Sequence, residues 1–517
     1  MTVALDPARG QPLYLQLASA IAEDIRRGRL KPGEALPGSR ELADSLNVSR
    51  NTVVAAYGEL AAEGLVNTRI GGGTFVARLP SVPTSPRTPA GTRPTYALPP
   101  SALPPISVDP PPPGALVFSR SMPDVRLLPA RQLARAVRRA ISERGLSVLS
   151  YTDPRGHVRL RTELAAMLTR TRGMLCATDD VLITRSIEQG LDMVARTLIA
   201  PGDTVVVEAF GYPPGRRVFR LAGARLLPVA VDEDGLDVDA LESLVAHEHI
   251  RAVLLSPHHQ FPTTVVMSAA RRERLAKLAL AYRFAIIEDD YDHEFHYEGK
   301  PVLPIAAGSA RANVIYVASM SNLLAPGLST GFIAAPRQVM QRLIALRAAS
   351  DTQGDAAVEC ALAELFEDGE LLRHVRRMRR LYAVRRDALA AALVKHLGSA
   401  VDFHLPEGGM ALWVRAAEDI DVAAWARAGE HEGVLFKDAR AYDFFHGEQP
   451  FLRLGFSYHD PAELEEGVRR MSRALVRTRT SSAPMQTADA AKPGKRHEAD
   501  LDGNRHGHHR QSSESRG

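Results

Sequence analysis

The residues Phe-Ala-Ile-Ile-Glu-Asp-Asp-Tyr-Asp (284–292) form a short apolar run that ends in a cluster of acids. Uncharged runs of the same kind recur along the chain, and amphipathic segments separate them. Such uninterrupted runs are typical of strands covered on both faces, as in a parallel sheet. Strands that alternate with helical patterns predict an α/β domain. Other examples of such runs are Val181–Thr184, Thr204–Glu208, Ala252–Leu255 and Val314–Ala318.

The composition of the 517-residue chain is that of a folded protein with several domains: 45% of the residues are hydrophobic and 24% are charged. The formal net charge is only +4, so any nucleic-acid-binding surface must be local. Cys176 and Cys360, the two cysteines, exclude a zinc ribbon and indicate a reducing compartment. No apolar run is long enough to span a membrane and no secretion signal is present at the N-terminus, so we expect a cytoplasmic protein.

Changes in composition predict four parts of the chain. Residues 11–79 form a compact first domain, and the Pro-rich residues 80–114 form a semi-rigid linker. Residues 115–478 form the α/β domain, with a small C-terminal subdomain from about 351 to 478. Residues 479–517 are polar and predict a disordered tail. We interpret the tail histidines as solvated and predict no metal site in the chain.

The first domain has the pattern helix, helix-turn-helix, hairpin. A helical stripe follows Pro12 and stops at Gly28. Ser39 and Ser49 are predicted to cap the second and third helices. Two short strands are predicted around the glycines at 71–73.

Four motifs in this domain carry a resemblance: Pro-Leu-Tyr-Leu-Gln-Leu (12–17), the segment 28–43, Val-Ser-Arg-Asn-Thr-Val (48–53) and Gly-Gly-Gly-Thr-Phe-Val (71–76). Together they resemble the winged helix of GntR-type bacterial repressors, which implies binding to double-stranded operator DNA. A helix N-terminus offers N–H groups to phosphate, and arginine can read a guanine edge. The alternative is a helical bundle with a Gly-rich turn and solvated arginines. The candidate DNA-binding residues are Arg40, Ser49, Arg50, Asn51, Thr52, Arg69 and Gly72.

Five further motifs lie in the large domain, at 151–156, 201–208, 259–263, 287–292 and 451–457. They resemble fold-type I aminotransferases, the aspartate aminotransferase-like enzymes that use pyridoxal phosphate (PLP). A GntR-like winged helix joined to this domain is the arrangement of MocR-type bacterial regulators. That resemblance implies a homodimer, because fold-type I active sites lie at a dimer interface.

The resemblance also assigns roles to residues. PLP needs a carboxylate beside its ring nitrogen and a lysine for its Schiff base, and an amino-acid ligand needs an arginine for its carboxylate. Asp289 matches the partner of the ring nitrogen and Tyr291 the contact to the ring hydroxyl. Tyr212 matches a second tyrosine near the cofactor, and Arg453 matches the arginine that binds the substrate carboxylate.

The segment Ser-Met-Ser-Asn-Leu-Leu-Ala-Pro-Gly-Leu-Ser (319–329) departs from the family pattern Ser-x-Ser-Lys-x-Leu-x-Pro-x-Leu-Arg. Ser319 matches, but Asn322 stands at the lysine and Ser329 at the arginine that binds the phosphate. Asparagine has no nucleophilic amine, so no Schiff base can form at this position. We therefore predict that PLP binds weakly and without a covalent bond, or not at all. Lys300 is interpreted as a surface charge rather than a displaced Schiff-base lysine.

Three functions are compatible with these residues. The leading hypothesis is a DNA-binding transcriptional regulator whose aminotransferase-like domain dimerises and senses a small effector. Arg453 suggests that this effector carries a carboxylate, as an amino acid does. The second hypothesis is a PLP-dependent aminotransferase with a DNA-binding domain, against which the missing lysine argues. The third is a purely structural dimerisation domain with a relict pocket.

Overall fold

The computed structural model describes residues 5–6, 10–69, 72–77 and 110–481. The chain divides into two compact units, Met1–Leu103 and Pro104–Gly517. Most of the predicted linker (80–114) and of the predicted tail (479–517) lies outside the described residues, so both remain predictions.

The first unit contains three helices and one hairpin in the described ranges. Strands β1 and β2 are antiparallel, with Val66 opposite Val76. The Ser49 hydroxyl caps the third helix, as predicted, by accepting the Thr52 N–H at 3.1 Å. The second helix differs from the prediction, because Gly38 is its N-cap and Ser39 is its first residue. The elements are α1 (Leu13–Arg26), α2 (Ser39–Leu46), α3 (Arg50–Ala62), β1 (Val66–Arg69) and β2 (Gly73–Val76).

The core of this unit is formed by the inner faces of all three helices. Leu17 and Ile21 of α1 and Val53 of α3 are fully buried. The Tyr57 hydroxyl donates to the Pro37 carbonyl at 2.8 Å, which ties α3 to the turn before α2. This packing fixes the angle between the two helices of the helix-turn-helix.

The second unit is built on a seven-stranded sheet with the order β4-β12-β11-β10-β9-β5-β6. Its neighbouring strands are parallel except at β12, which is antiparallel to both β11 and β4. The strands of this unit are β3 (Leu116–Val117), β4 (Val181–Thr184), β5 (Thr204–Glu208), β6 (Arg225–Val229), β7 (Val231–Asp232), β8 (Gly235–Leu236), β9 (Ile250–Leu255), β10 (Ala285–Asp290), β11 (Val314–Ser319), β12 (Gly331–Ala334), β13 (Val401–Phe403), β14 (Ala411–Ala416), β15 (Val434–Leu435) and β16 (Phe451–Gly455).

Helices cover both faces of this sheet. Ile286 and Val314 pack into one apolar cluster, while Ile287 and Ile315 pack into another. Successive strand residues therefore point into opposite layers, which confirms the predicted α/β class. The helices are α4 (Ala130–Arg144), α5 (Leu146–Leu149), α6 (Val158–Arg172), α7 (Ile187–Leu198), α8 (Pro213–Leu221), α9 (Val238–Val245), α10 (Ala269–Tyr282), α11 (Arg337–Ser350), α12 (Ala356–Glu367), α13 (Glu370–Leu397), α14 (Val422–His431) and α15 (Pro461–Ser481).

A smaller antiparallel sheet, β13-β14-β16, lies in the C-terminal part of the unit. The fully buried Trp425 donates its indole N–H to the Met471 carbonyl at 2.8 Å, which joins α14 to α15. Strand β3 pairs with β15, so residues 116–117 also belong to this region. Within the described ranges, no helix is long and apolar enough to cross a membrane.

Candidate functional site

The helix-turn-helix presents its polar residues at the N-termini of α2 and α3. Arg40, Arg50 and Asn51 are exposed. The Ser49 and Thr52 hydroxyls lie 2.8 Å apart, so both take part in capping α3. The N-terminus of α3, the two arginines and Asn51 form a surface suited to a phosphate backbone and base edges.

The hairpin carries the other two candidate DNA-binding residues, Arg69 and Gly72. Arg69 is opposite Gly73 at the end of the β1–β2 ladder, and Gly72 is exposed beside it. The backbones of Arg69 and Gly72 thus lie at the same end of this hairpin.

A cavity of about 630 Å³ lies at the carboxyl ends of the strands in the second unit. Crevices at this edge of a parallel sheet are the usual ligand sites of α/β proteins. All the predicted residues of the cofactor and carboxylate sites line it: Tyr212, Asp289, Tyr291, Ser319, Asn322 and Arg453.

Asp289 follows the apolar part of β10 and is 3% exposed. Its Oδ1 has no hydrogen-bond partner within the described ranges. Burial, together with the neighbouring acids Asp290, Glu208 and Glu188, raises the pKa of this carboxyl well above its usual range. A cationic N–H donor, such as a protonated pyridine nitrogen or an ammonium group, would satisfy this carboxylate.

The two predicted tyrosines of the cavity, Tyr212 and Tyr291, already have partners. The Tyr291 hydroxyl donates to the His259 carbonyl at 2.8 Å. The Tyr212 hydroxyl donates to Glu188 Oε1. Burial raises the pKa of both phenols, so both stay neutral. Their oxygens can still accept a hydrogen bond from a ligand.

No lysine of the described residues lines the cavity. The Asn322 side chain donates to the Tyr291 carbonyl at 3.0 Å. All four lysines that the structure describes in this unit are exposed and lie outside the cavity lining: Lys277, Lys300, Lys395 and Lys437. The site therefore does not fit a Schiff base to PLP.

The end of the cavity where a phosphate would bind also departs from the family. Ser329 has left-handed backbone, with φ of +42°. Arg185 is paired with Asp351 at 3.1 Å. Two arginines that sequence reasoning missed, Arg120 and Arg217, line the cavity as well. The cavity thus keeps a partner for a ring nitrogen but lacks the lysine and the phosphate-binding arginine of the family pattern.

Arg453 lies on β16 and is 4% exposed. It donates to the Ser121 hydroxyl, and its guanidinium lies 4.5 Å from the centre of the Phe261 ring. Its Nε has no hydrogen-bond partner. Among the described residues no carboxylate pairs directly with it, and Asp292 is near enough that, against the raising effect of burial, Arg453 lowers the pKa of that carboxyl. A buried guanidinium without a counter-ion is a strong site for a ligand carboxylate.

Comparisons with known proteins agree with both units. Residues 13–76 match the model of bacterial regulatory proteins of the gntR family, and residues 124–471 match that of aminotransferase class I and II. The probable rhizopine catabolism regulatory protein MocR of Rhizobium meliloti is 29% identical over 95% of this chain and its own full length. The chain belongs to the MocR-type regulators.

Two further proteins show how far this similarity extends. The pyridoxine biosynthesis regulator PdxR of Corynebacterium glutamicum is 32% identical to this MocR-type regulator over 76% of the chain and 81% of its own length. The α-aminoadipate aminotransferase LysN of Thermus thermophilus is 28% identical, with a TM-score of 0.67, over 71% of this chain and 94% of its own. The second unit therefore has the fold-type I aminotransferase fold.

Proposed function

We propose that this MocR-type regulator senses a small carboxylate ligand in its aminotransferase-like domain, without covalent PLP, and acts on operator DNA as a homodimer. As a member of the family it is a DNA-binding transcriptional regulator. The observation that carries the sensing proposal is Arg453, a buried arginine without a counter-ion in a cavity without a lysine.

The charges of the cavity favour a ligand with both signs. Arg453 offers a cationic site for a carboxylate. Asp289 and Glu188 supply carboxylates to the same cavity, and Asp289 has an oxygen without a partner. An amino acid carries the complementary carboxylate and ammonium groups, so it matches this cavity better than a simple fatty or aromatic acid.

Aminotransferase activity is the second candidate, because the fold and several relatives are those of aminotransferases. Transamination needs an amine that can hold the cofactor and move a proton. Asn322 supplies neither, and its amide is engaged with the Tyr291 carbonyl. A relict pocket that binds nothing is the third candidate, and ligand binding separates it from the first.

A run of exposed apolar side chains supports the homodimer. Leu146 and Tyr151 are each 85% exposed and Leu149 is 65% exposed, all within six residues. Soluble proteins seldom leave such a patch in water, and a second copy of the chain would cover it. An effector would then regulate DNA binding by favouring one arrangement of the dimer over another.

Thermal unfolding with a panel of amino acids and dicarboxylates tests the sensing proposal. At least one compound should raise the Tm of the wild type and of Arg415→Gln, an exposed arginine on β14. The same compound should leave the Tm of Arg453→Gln unchanged. Failure of every compound, or an equal shift in Arg453→Gln, would contradict the proposal.

A further inference from the structure

Four histidines meet beside the cavity, where β9 and β10 end. His258 and His259 follow β9, and His293 and His296 follow β10. Their residues are between 0% and 8% exposed. The ring centre of His258 lies 4.1 Å from that of His259 and 4.5 Å from that of His293. The chain thus buries an imidazole cluster that the ligand cavity does not use.

His293 Nδ1 faces Asp290 Oδ2 at 3.0 Å. The other three histidines offer nitrogens that have no hydrogen-bond partner among the described residues. These are Nε2 of His259 and both ring nitrogens of His258 and His296. One potential ligand nitrogen from each ring lies within 4.8 Å of the others. Buried polar atoms without partners destabilise a fold, so such a concentration of them needs an explanation.

A carboxylate orients the central ring. Asp292 Oδ1 lies 2.9 Å from His259 Nδ1, and both residues are fully buried. With the proton on Nδ1, that nitrogen donates to the carboxylate and the lone pair of Nε2 faces the other two rings. Histidines that bind metals commonly donate their second N–H to a carboxylate in this way.

A glycine leaves room at the same nitrogen. A Cβ at Gly408 would lie 2.1 Å from His259 Nε2, so any side chain there would block it.

We propose that His258, His259 and His296 form a binding site for a divalent transition-metal ion of the zinc class, with Asp292 as its positioning carboxylate. Imidazole nitrogens favour zinc and its neighbours over magnesium or calcium. Bonds of about 2.0–2.1 Å in a tetrahedral site place ligand atoms about 3.4 Å apart. The three nitrogens, now within 4.8 Å of one another, would move closer together to bind the ion.

The test uses the full-length protein with the four tail histidines replaced (H497N/H506N/H508N/H509N), so that the tail adds no metal binding. Co²⁺ is titrated into the chelator-treated protein while its visible absorption bands are recorded. Bound Zn²⁺ is counted by elemental analysis after dialysis. The variants are His258→Gln, His296→Gln, Asp292→Asn and Gly408→Ala, and the control is His374→Gln, a buried histidine on α13.

We expect one Co²⁺ per chain, displaced by one Zn²⁺, in the parent and in His374→Gln. Affinity should fall more than about 100-fold in His258→Gln and His296→Gln, and about 10- to 100-fold in Asp292→Asn. Absence of a cobalt spectrum in the parent, or unchanged binding in the histidine variants, would overturn the proposal. If a histidine variant loses its native circular dichroism, Asp292→Asn decides, because it keeps all three ligands and the size of the carboxylate and should still weaken metal binding.

Discussion

A single residue, Asn322, determines whether the cavity can bind PLP covalently. An Asn322→Lys variant would restore a nucleophilic amine beside Asp289 and Tyr291. After incubation with PLP and reduction with borohydride, we expect mass spectrometry to find a pyridoxyl group on residue 322, approaching one per chain. The wild type and Asn322→Gln should carry only scattered adducts on exposed lysines. A stoichiometric adduct on one wild-type lysine would contradict our interpretation of the site.

Glu208, at the end of β5, should make the stability of the protein depend on pH. Burial raises the pKa of this carboxyl to about 8 from an ordinary value of 4.5. Between these values the folded chain holds a proton that the unfolded chain has released, so the carboxyl lowers stability as the pH rises. The variant Glu208→Gln has no carboxyl to titrate, so it should not lose stability in this way. Its amide oxygen can still accept the Ser256 N–H.

The free energy of unfolding of Glu208→Gln, relative to that of the wild type, should therefore increase with pH. The increase should be on the order of 1 kcal/mol per pH unit from pH 5 to pH 8. Urea unfolding at three pH values measures this difference, and the shared titrations of other groups cancel. Glu418→Gln, whose side chain is 92% exposed, is the control. A difference that is constant with pH would refute the prediction.

At the scale of an element, α3 is expected to dominate DNA recognition. Arg50 is exposed in its first turn. On an operator selected with the full-length protein, Arg50→Ala should weaken binding by about 1–3 kcal/mol, which is roughly 5- to 150-fold. Arg26→Ala is the matched control, because Arg26 is a half-exposed arginine on α1 that pairs with Glu63. Equal losses in the two variants would show only a general electrostatic effect.

A comparison of the predicted strands with the observed ones shows which elements a sequence pattern reveals. Strands β4 and β5 coincide with the predicted ranges, because an uncharged run bounded by turns has a clear pattern. The four-residue β12 and the edge strand β6, which contains Pro228, lack such a pattern and were missed. Among site residues, the motifs located Asp289 and Arg453, whereas Arg120 and Arg217 enter the cavity through packing alone.

At the scale of the whole molecule, the exposed segment 146–151 predicts how copies of the chain associate. The double variant Leu146→Asp/Leu149→Asp adds charge to this segment, whose intervening Val148 is buried. In sedimentation equilibrium, the wild type should have twice the mass of one 56.2 kDa chain and the variant the mass of a single chain. Val394→Asp, at a 66% exposed position on α13, should remain dimeric.

The same variant separates the dimer from the DNA-binding unit. Two winged helices in one dimer read two half-sites, so the loss of dimers should reduce affinity for a full operator far more than for a half-site. Electrophoretic shifts with both DNAs measure this ratio. A dimeric double variant would place the interface elsewhere, and a monomeric variant with full operator affinity would show that the winged helix acts alone. With the expected result, the aminotransferase fold has a defined role: it holds two DNA-binding units together around a ligand cavity that lacks the catalytic lysine.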